Sequence, residues 1–442
     1  MLRKQKEEYS VEDFYFLKIK PMWRYFWSEH PAFWFICGYL FIEYWRPQSI
    51  YPALDFLPWA RLFILGALLF SFADKKSKLV WTSTHTWILL FTIQIHISFL
   101  FAYNINWSID HHINFFQWVV IFFIITRIVT TKERFYIFFL VFFLSSLKIA
   151  LGTSRSFAMR GFGFTSWGLK GPPGFFENSG ELAILMVMLF ALSLYLIKTF
   201  WSKSGRLEKL VLLFAVLCPA LTVIGSSSRG SQLALAVVLL WYYNYRLLNP
   251  KVLVVAASLA LSFAFILPDE QKARFETMGD DRTSEQRILY WKNGVEMVKL
   301  HPLTGVGYYN FIPYFSDFYP DDILFRNRQG QLRAELPHNI LVQVATDAGL
   351  PALTLYLLII LSLLRLPIYP KNQLLQSVSK GLKLGIIGFF IAGQFVTVAY
   401  YPYLWISTAL LISLAQSQEF KKHKAISISP VSSLSNSNAK EV

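Results

Sequence analysis

Apolar stretches of 16 to 19 residues recur along almost the whole chain and constrain its fold more than any other feature. A bilayer core about 30 Å thick needs roughly 20 mostly apolar residues to cross it as a helix. Backbone polar groups inside lipid must pair within their own segment, which excludes open strands and irregular loops. The sequence therefore predicts an all-α polytopic membrane protein with about 12 transmembrane helices. The candidate spans are 31–46, 57–73, 86–103, 113–130, 135–152, 180–198, 208–225, 231–246, 251–268, 351–366, 381–399 and 402–417.

The composition agrees with this class. The 442 residues are 55% hydrophobic and only 16% charged, whereas soluble domains average about 25% charged. Such a chain is neither an ordinary soluble globule nor disordered. The net charge is +15, but Lys and Arg punctuate the apolar segments instead of forming one basic stripe, so we expect membrane lipids and no nucleic acid as partners. Cys37 and Cys218 both lie in apolar runs, which predicts neither a disulfide framework nor a cysteine metal site.

The distribution of Lys and Arg predicts the orientation. With the N-terminus in the cytoplasm, every short loop on that side is positive, as at Lys75, Lys76 and Lys78, while the opposite segments 104–112 and 400–401 carry no Lys or Arg. Positive loops stay on the cytoplasmic side, so we expect both termini in the cytoplasm.

This map divides the chain into three parts. Residues 1–30 form a cytoplasmic or interfacial N-terminus without the apolar core of a cleavable signal, residues 31–424 form the membrane domain, and residues 425–442 form a disordered cytoplasmic tail rich in Ser and Asn.

Two long segments are predicted on the periplasmic side. Residues 153–179 carry Arg155 and Arg160. Residues 269–337, between the ninth and tenth spans, hold nine Lys or Arg and eleven Asp or Glu. Loops of this length are usually functional or disordered. The aromatic content and a helical pattern around Trp291 favour a large, folded and partly helical periplasmic loop.

Two motifs on that side could bind an anion. In Gly225-Ser-Ser-Ser-Arg229-Gly230 a single Arg sits among hydroxyls between two spans, and its planar fork matches a phosphate. The alternative is an ordinary turn with a snorkelling Arg. Arg287 falls in the first turn of a helix that Thr283 or Ser284 could cap, where the helix dipole also favours anions.

The helix that contains Arg287 has its own alternative interpretation. Its apolar residues recur at helical spacing, so we expect one packed face; they are Ile288, Trp291, Val295 and Val298. In this alternative, the segment is an amphipathic surface helix, and Arg287 is solvated and binds no ligand.

A histidine closes the long loop. His338 follows Pro337 at the start of an apolar helix that should end at Gly349-Leu350-Pro351. Neutral histidine can accept a proton near pH 7, which makes His338 a candidate general base; the alternative is a cap or surface residue.

Two further segments are predicted to be turns. Pro302-Leu-Thr-Gly-Val-Gly307 has no preceding strand and no following Lys, so a tight turn over the membrane surface fits better than a phosphate loop. The adjacent His301 is predicted to be structural. Asp321-Asp322 after Pro320 also suits a turn better than a metal site.

Together these pieces resemble the O-antigen ligase and polymerase superfamily. The resemblance rests on Ser-Arg-Gly at 228–230, Arg-x-x-x-Trp at 287–291, Pro-Leu-x-Gly-Val-Gly at 302–307, and His-Asn with a downstream Gly-Leu at 338–350. It implies a metal-independent glycosyltransferase without a cofactor at the periplasmic face of the bacterial inner membrane, whose donor is a glycan on undecaprenyl diphosphate. Ligases of this superfamily join the glycan to the lipid A core, polymerases extend it, and related members transfer it to protein.

The resemblance also assigns roles by position. Arg229 and Arg287 would hold the diphosphate leaving group and His338 would activate the acceptor hydroxyl, with Arg282 as an alternative to Arg287. Candidate substrate-binding residues are Ser228, Asn339, Arg155 and Arg160. The His338 and Ser-Arg-Gly elements favour a ligase over a polymerase. A transporter of lipid-linked polysaccharide is the non-enzyme alternative. Such proteins need ionisable or broken-helix sites at the bilayer midplane, whereas the predicted spans are nearly free of central charge, which disfavours this alternative.

Overall fold

The computed structural model describes residues 10–14, 17–165, 168–243, 282–367 and 372–426, with side chains omitted for 418–426. Within these ranges every regular element is a helix, apart from an isolated bridge between Arg326 and Leu332. The all-α prediction is therefore confirmed. The ninth predicted span, 251–268, the start of the long loop and the tail after Ile426 lie outside the described residues.

Sixteen α-helices follow one another in the described ranges, besides short 3-10 turns. They are α1 (Val11–Phe14), α2 (Ile19–Ser28), α3 (Pro31–Trp45), α4 (Pro47–Ile50), α5 (Trp59–Ser71), α6 (Ser83–Leu100), α7 (Ile105–Ile128), α8 (Lys132–Met159), α9 (Ser179–Phe200), α10 (Arg206–Gly225), α11 (Arg229–Tyr243), α12 (Arg282–Leu300), α13 (Phe311–Phe318), α14 (Ile340–Arg365), α15 (Gln373–Ala392) and α16 (Pro402–Ile426).

Six described helices are long and apolar enough to cross a membrane: α7, α8, α9, α10, α14 and α15. The chain is therefore a multi-pass membrane protein, but the predicted count of about 12 spans is not confirmed. Helices do lie at five of the other predicted spans. Of these, α3, α5 and α11 have 15, 13 and 15 residues, which span only about 20 to 23 Å at 1.5 Å per residue. The other two, α6 and α16, carry more polar residues.

Helix α9 lies at the centre of the bundle. It packs against α10, α11 and α15, and residues Leu182–Leu192 of α9 are buried without interruption. A helix that is apolar on all sides belongs inside a protein or a membrane. Around this centre α8 packs on α3 and α10, α6 packs on α14, and α16 packs on α7.

One end of the bundle gathers the segments that matter for function. Helices α8, α10 and α15 finish at this end, and α9, α11, α14 and α16 begin there. We call it the site face. The loops at the site face contact one another closely at two glycines. A Cβ placed on Gly180 would lie 3.1 Å from Val396, and one placed on Gly168 would lie 2.1 Å from the carbonyl oxygen of Ser226, so neither position has room for a side chain.

The described part of the long loop, residues 282–337, folds around its own small core at the site face. That core consists of Tyr290, Met297, Val306, Phe311, Tyr314, Phe315, Ile323 and Ala334. The predicted turn at 302–307 attaches this unit to the bundle. The Val306 N–H donates to the Thr346 carbonyl at 2.8 Å, and the Tyr103 N–H donates to the Val306 carbonyl at 3.0 Å.

Helix α12 presents a different face from the one predicted. Ile288 and Val295 are 56% and 51% exposed, and the buried face consists of Gln286, Tyr290, Asn293, Gly294 and Met297. A Cβ on Gly294 would lie 2.7 Å from Cγ1 of Val342, and the Asn293 Nδ2 donates to Asp322 Oδ2 at 2.6 Å. Close approach and hydrogen bonding decide this orientation, and hydrophobicity alone predicted the wrong face.

The start of α12 also corrects a prediction. The described helix already begins at Arg282, so Thr283 and Ser284 lie within its first turn and Arg287 lies in the second turn. Neither hydroxyl residue is the cap, because the helical backbone runs through both. The helix dipole acts mainly at the first turn, so it supports anion binding at Arg287 less than the sequence suggested.

The segment predicted as loop 153–179 begins as helix. Helix α8 continues to Met159, so Arg155 lies in its last turns and Arg160 follows its end. The reason is that Thr153 faces inward, where its Oγ1 lies 2.8 Å from Oγ1 of Thr222 on α10. The polar contact between α8 and α10 therefore lies within the helix, and the segment outside it begins only after Met159.

Candidate active site

The backbone around His338 is held from three sides. The His338 N–H donates to Oγ1 of Thr397 at 2.9 Å, and the carbonyl of the preceding Pro337 accepts from Nε1 of Trp291 at 2.8 Å. After it, Asn339 caps α14 by accepting from the Leu341 N–H at 2.9 Å. The helix start predicted at this point is confirmed. These bonds keep His338 in the left-handed region, with φ 52° and a side chain that is 27% exposed.

An acidic residue contacts the His338 ring. Oε2 of Glu335 lies 3.5 Å from Nε2 of His338, and Oε1 lies 3.4 Å from an Nη of Arg333. The bond to His338 lowers the pKa of the Glu335 carboxyl against the effect of burial, and the positive charges of Arg333 and Arg287 lower it further. Glu335 is therefore a carboxylate at neutral pH, and the predicted residue Arg287 lies close enough to act on it.

Arg229 begins α11 in the same neighbourhood. The next residue, Gly230, packs tightly on Phe395: a Cβ placed on Gly230 would lie only 2.5 Å from Cβ of Phe395. Phe395 is two residues before Thr397, which binds the His338 backbone. Residues 393–401 thus contact both the start of α11, beside Arg229, and the backbone of His338, and Arg287 on α12 acts on Glu335 beside His338.

Backbone strain concentrates at the site face. The described non-glycine residues with positive φ all lie there: Arg46, Phe162, Ser227, Tyr309 and His338. This region of φ is uncommon for residues with a Cβ, and it persists where surrounding contacts over-determine the backbone, often at functional sites. His338 belongs to the predicted catalytic set, and Ser227 lies two residues before Arg229 of the same set.

The predicted substrate-binding residues have different positions. Ser228 lies in the strained turn before α11, where its Oγ donates to Oγ of Ser231 at 3.0 Å. Asn339 already serves as the cap of α14. Arg155 and Arg160 are exposed at the end of α8, and none of the contacts among the described residues joins their side chains to His338 or Glu335. Their roles in binding substrate stay predictions.

Sequence reasoning missed a second acidic residue at the site face. Tyr401 Oη donates to Oε1 of Glu181 at 2.5 Å, and the rings of Tyr401 and Phe175 lie 5.7 Å apart. Burial, followed by the charge of Glu181, raises the pKa of the Tyr401 hydroxyl. The signal was present as a single carboxylate at the start of an otherwise apolar span, but the partner is more than 200 residues away in the chain.

Two of the turn predictions are confirmed. Residues 302–307 form the tight turn described above, and Pro320–Asp322 is a 3-10 turn. His301 has a structural contact, with its Nε2 3.2 Å from Oη of Tyr314. In the described part of the chain, no group of three or more His, Cys, Asp and Glu side chains is placed to hold a metal ion.

The fold and the site therefore define a multi-pass membrane protein with arginines, a histidine and a carboxylate gathered at one end of its bundle. Residues 214–357 match the model of the O-antigen ligase family. This region contains Arg229, Arg287, His338 and Asn339, and the match confirms the resemblance to the O-antigen ligase superfamily. It indicates a membrane enzyme that transfers glycans. No curated protein matches the chain.

Proposed function

We propose that this protein is an O-antigen ligase that moves a glycan from undecaprenyl diphosphate to a hydroxyl of the lipid A core. The reaction would take place at the periplasmic face of the inner membrane, with both termini of the chain in the cytoplasm. The observation that carries the proposal is the clamped His338, which contacts Glu335 beside Arg287, within the region that matches the O-antigen ligase family.

The chemistry needs a base and a group that accepts negative charge. In the proposed step His338 takes the proton of the acceptor hydroxyl. The acceptor oxygen then bonds to the anomeric carbon of the donor glycan, and the bond from that carbon to the diphosphate oxygen breaks. The electron pair leaves on the diphosphate, where Arg229 and Arg287 stabilise the charge as it develops. A planar guanidinium can bind phosphate oxygens in pairs.

This mechanism assigns the leaving-group role to two arginines, so we propose that transfer is independent of a metal ion. The donor already carries an activated sugar, so the reaction requires no nucleotide and no cofactor. Arg282 stays an alternative to Arg287, but its guanidinium bonds the Leu324 carbonyl and lies 5.6 Å from the Phe325 ring, whereas the charge of Arg287 acts on Glu335. These contacts favour Arg287.

A gene deletion tests the proposal. A strain that lacks the gene is complemented with wild type, His338→Ala, or the control His96→Ala, which changes an exposed histidine on α6. Lipopolysaccharide gels and blots of lipid-linked glycan are compared. We expect long glycan chains to accumulate on the lipid carrier while the core stays bare, with rescue by wild type and the control only.

Other outcomes would identify the alternatives. Core that carries single repeat units would make the protein a polymerase. Loss of glycan from protein with normal lipopolysaccharide would indicate a protein O-oligosaccharyltransferase. Unchanged glycan in all fractions, together with measured flux of lipid-linked glycan across proteoliposome membranes, would replace the enzyme by a transporter.

A further inference from the structure

We propose that Glu335 is a positioning residue that holds Nε2–H of His338, so that Nδ1 is the nitrogen that takes the proton of the acceptor hydroxyl. This inference rests on the proposed function, because it names the group that prepares its base. The motifs that identify the site do not include Glu335, and only the folded chain brings its carboxylate to the His338 ring.

The geometry of Glu335 suits this role. Its main-chain N–H donates to Oη of Tyr290 at 2.7 Å, and Tyr290 belongs to the buried core of the 282–337 unit. Its carboxylate reaches Nε2 of His338 at 3.5 Å from three residues earlier in the chain. The His338 backbone is fixed independently through Thr397. Both partners are therefore held by different parts of the structure, and the contact between them does not depend on a flexible segment.

The charged groups around the pair explain why the carboxylate is available. Arg287 faces Glu335 from α12, Arg333 and His338 face it from its own segment, and the 393–401 loop contributes the uncharged Thr397 hydroxyl. The Arg333 side chain is 63% exposed and 3.4 Å away, and exposed pairs of this kind contribute little. The contact with His338 is the largest of the influences that keep Glu335 ionised.

A carboxylate on one imidazole nitrogen has a defined chemical effect. It accepts the N–H on its own side, which leaves the opposite nitrogen as a proton acceptor. When His338 takes the proton from the acceptor hydroxyl, both nitrogens become donors and the ring becomes positive. Glu335, whose side chain is 38% exposed, then stabilises the imidazolium, in the way that a carboxylate does for a catalytic histidine in hydrolases. Glu335 itself exchanges no proton.

The test compares Glu335→Gln and Glu335→Asp with the control Glu296→Gln, which changes an exposed acid of α12. Purified proteins are assayed with undecaprenyl-diphosphate-linked glycan and lipid A core. We expect Glu335→Gln to lower kcat about 10- to 100-fold, less than the roughly 100- to 10,000-fold that a general base itself contributes, with an almost unchanged donor KM. Without the carboxylate the His338 imidazolium is less stable, so the acid limb of the kcat–pH profile moves to lower pH. Glu335→Asp should recover part of kcat.

The outcomes separate the two levels of proposal. If wild type transfers glycan and Glu335→Gln keeps its kcat and pH profile, the positioning role is wrong and the ligase proposal stands. A raised donor KM with an unmoved acid limb also overturns the role, because Glu335 would then act through Arg287. If wild type transfers nothing in this assay, the proposed function itself fails. Should Glu335→Gln not fold, Glu335→Ala takes its place, and an unmoved acid limb in that variant decides against the role.

Discussion

At the scale of single residues, Arg229, the first residue of α11, carries the sharpest prediction. Arg229→Ala should reduce transfer at least about 100-fold, because a pre-organised donor to a developing negative charge contributes on this order. Membrane insertion and thermal stability should be nearly unchanged. Transfer assays are compared with the exposed arginine variant Arg61→Ala on α5. Normal transfer by a well-expressed Arg229→Ala protein would remove Arg229 from the diphosphate role.

The same residues lead to a prediction about metal ions. If arginines stabilise the leaving group, transfer by the purified protein should continue at an undiminished rate in excess EDTA. The measurement is the initial rate with and without chelator, followed by added Mg²⁺. Inhibition by EDTA that Mg²⁺ reverses would contradict the arginine mechanism.

At the scale of helices, the sequence predicts where a helix begins or is interrupted better than it predicts which face of the helix is buried. The start of α14 after Pro337 is visible in the structure as predicted. At the predicted end, Gly349, the helical backbone is interrupted, but α14 resumes and continues to Arg365. Those signals are local, because a cap and a left-handed glycine act on neighbouring backbone. The face of α12 depended on Gly294 and Asn293, whose partners lie on other elements. The contact of Tyr401 with Glu181 similarly joins distant segments, and no spacing in the sequence predicts it.

The interruption of α14 is itself a testable feature. Gly349 has φ 79° and ψ 179°, a conformation that essentially only glycine adopts. A Cβ there would lie 2.5 Å from the Leu303 carbonyl carbon, where the turn at 302–307 rests on the helix. Gly349→Ala should therefore lower the Tm of the detergent-solubilised protein by several degrees, at a cost on the order of 1–3 kcal/mol from the backbone alone, and should reduce transfer by loosening the 282–337 unit.

The matched control is Gly330→Ala. Gly330 also has φ 79°, but nothing lies within 4 Å of a Cβ placed on it. A Tm loss in Gly349→Ala no larger than in Gly330→Ala would show that the close packing of the turn on α14 is unimportant.

At the scale of the whole molecule, a buried ionic cluster holds the end of the bundle opposite the site face. The Arg134 side chain is fully buried at the start of α8, where it contacts Glu29 and Asp74 at 2.6 Å each. Glu29 precedes α3 and Asp74 follows α5, so one guanidinium ties three distant segments together. The individual spans could be located from apolar runs, but this connection could not, because it joins residues 60 and 105 positions apart.

The pKa values of the two carboxyls make the cluster sensitive to acid. Burial by itself would raise the pKa of both carboxyls, but the contacts with Arg134 outweigh it together with those of Lys76 and Tyr25 on Glu29 and of Ser77 on Asp74. The pKa values of Glu29 and Asp74 therefore lie below their ordinary values of 4.5 and 3.8. A group whose folded pKa is lowered stabilises the fold above its unfolded pKa, and this stabilisation is lost as the pH falls through the folded pKa. The Tm of the wild-type protein should therefore stay level from neutral pH down to about pH 4.5 and fall at lower pH.

Removal of the arginine should reverse this dependence on pH. Arg134→Met removes the buried guanidinium from both carboxylates. Glu29 keeps Lys76 at 2.5 Å, while Asp74 keeps the Ser77 hydroxyl at 2.6 Å and the Lys76 main-chain N–H at 3.1 Å. Loss of a buried ionic partner costs about 3–5 kcal/mol at neutral pH. Burial then raises their pKa values above the ordinary range, so lowering the pH protonates them and returns part of the stability. We expect the Tm of Arg134→Met to rise between about pH 7.5 and pH 5 while that of wild type stays level. Thermal unfolding of both proteins in the same detergent, with the exposed Lys75→Met as control, measures the difference. A parallel pH dependence in the two proteins would mean that the cluster does not hold this end of the bundle.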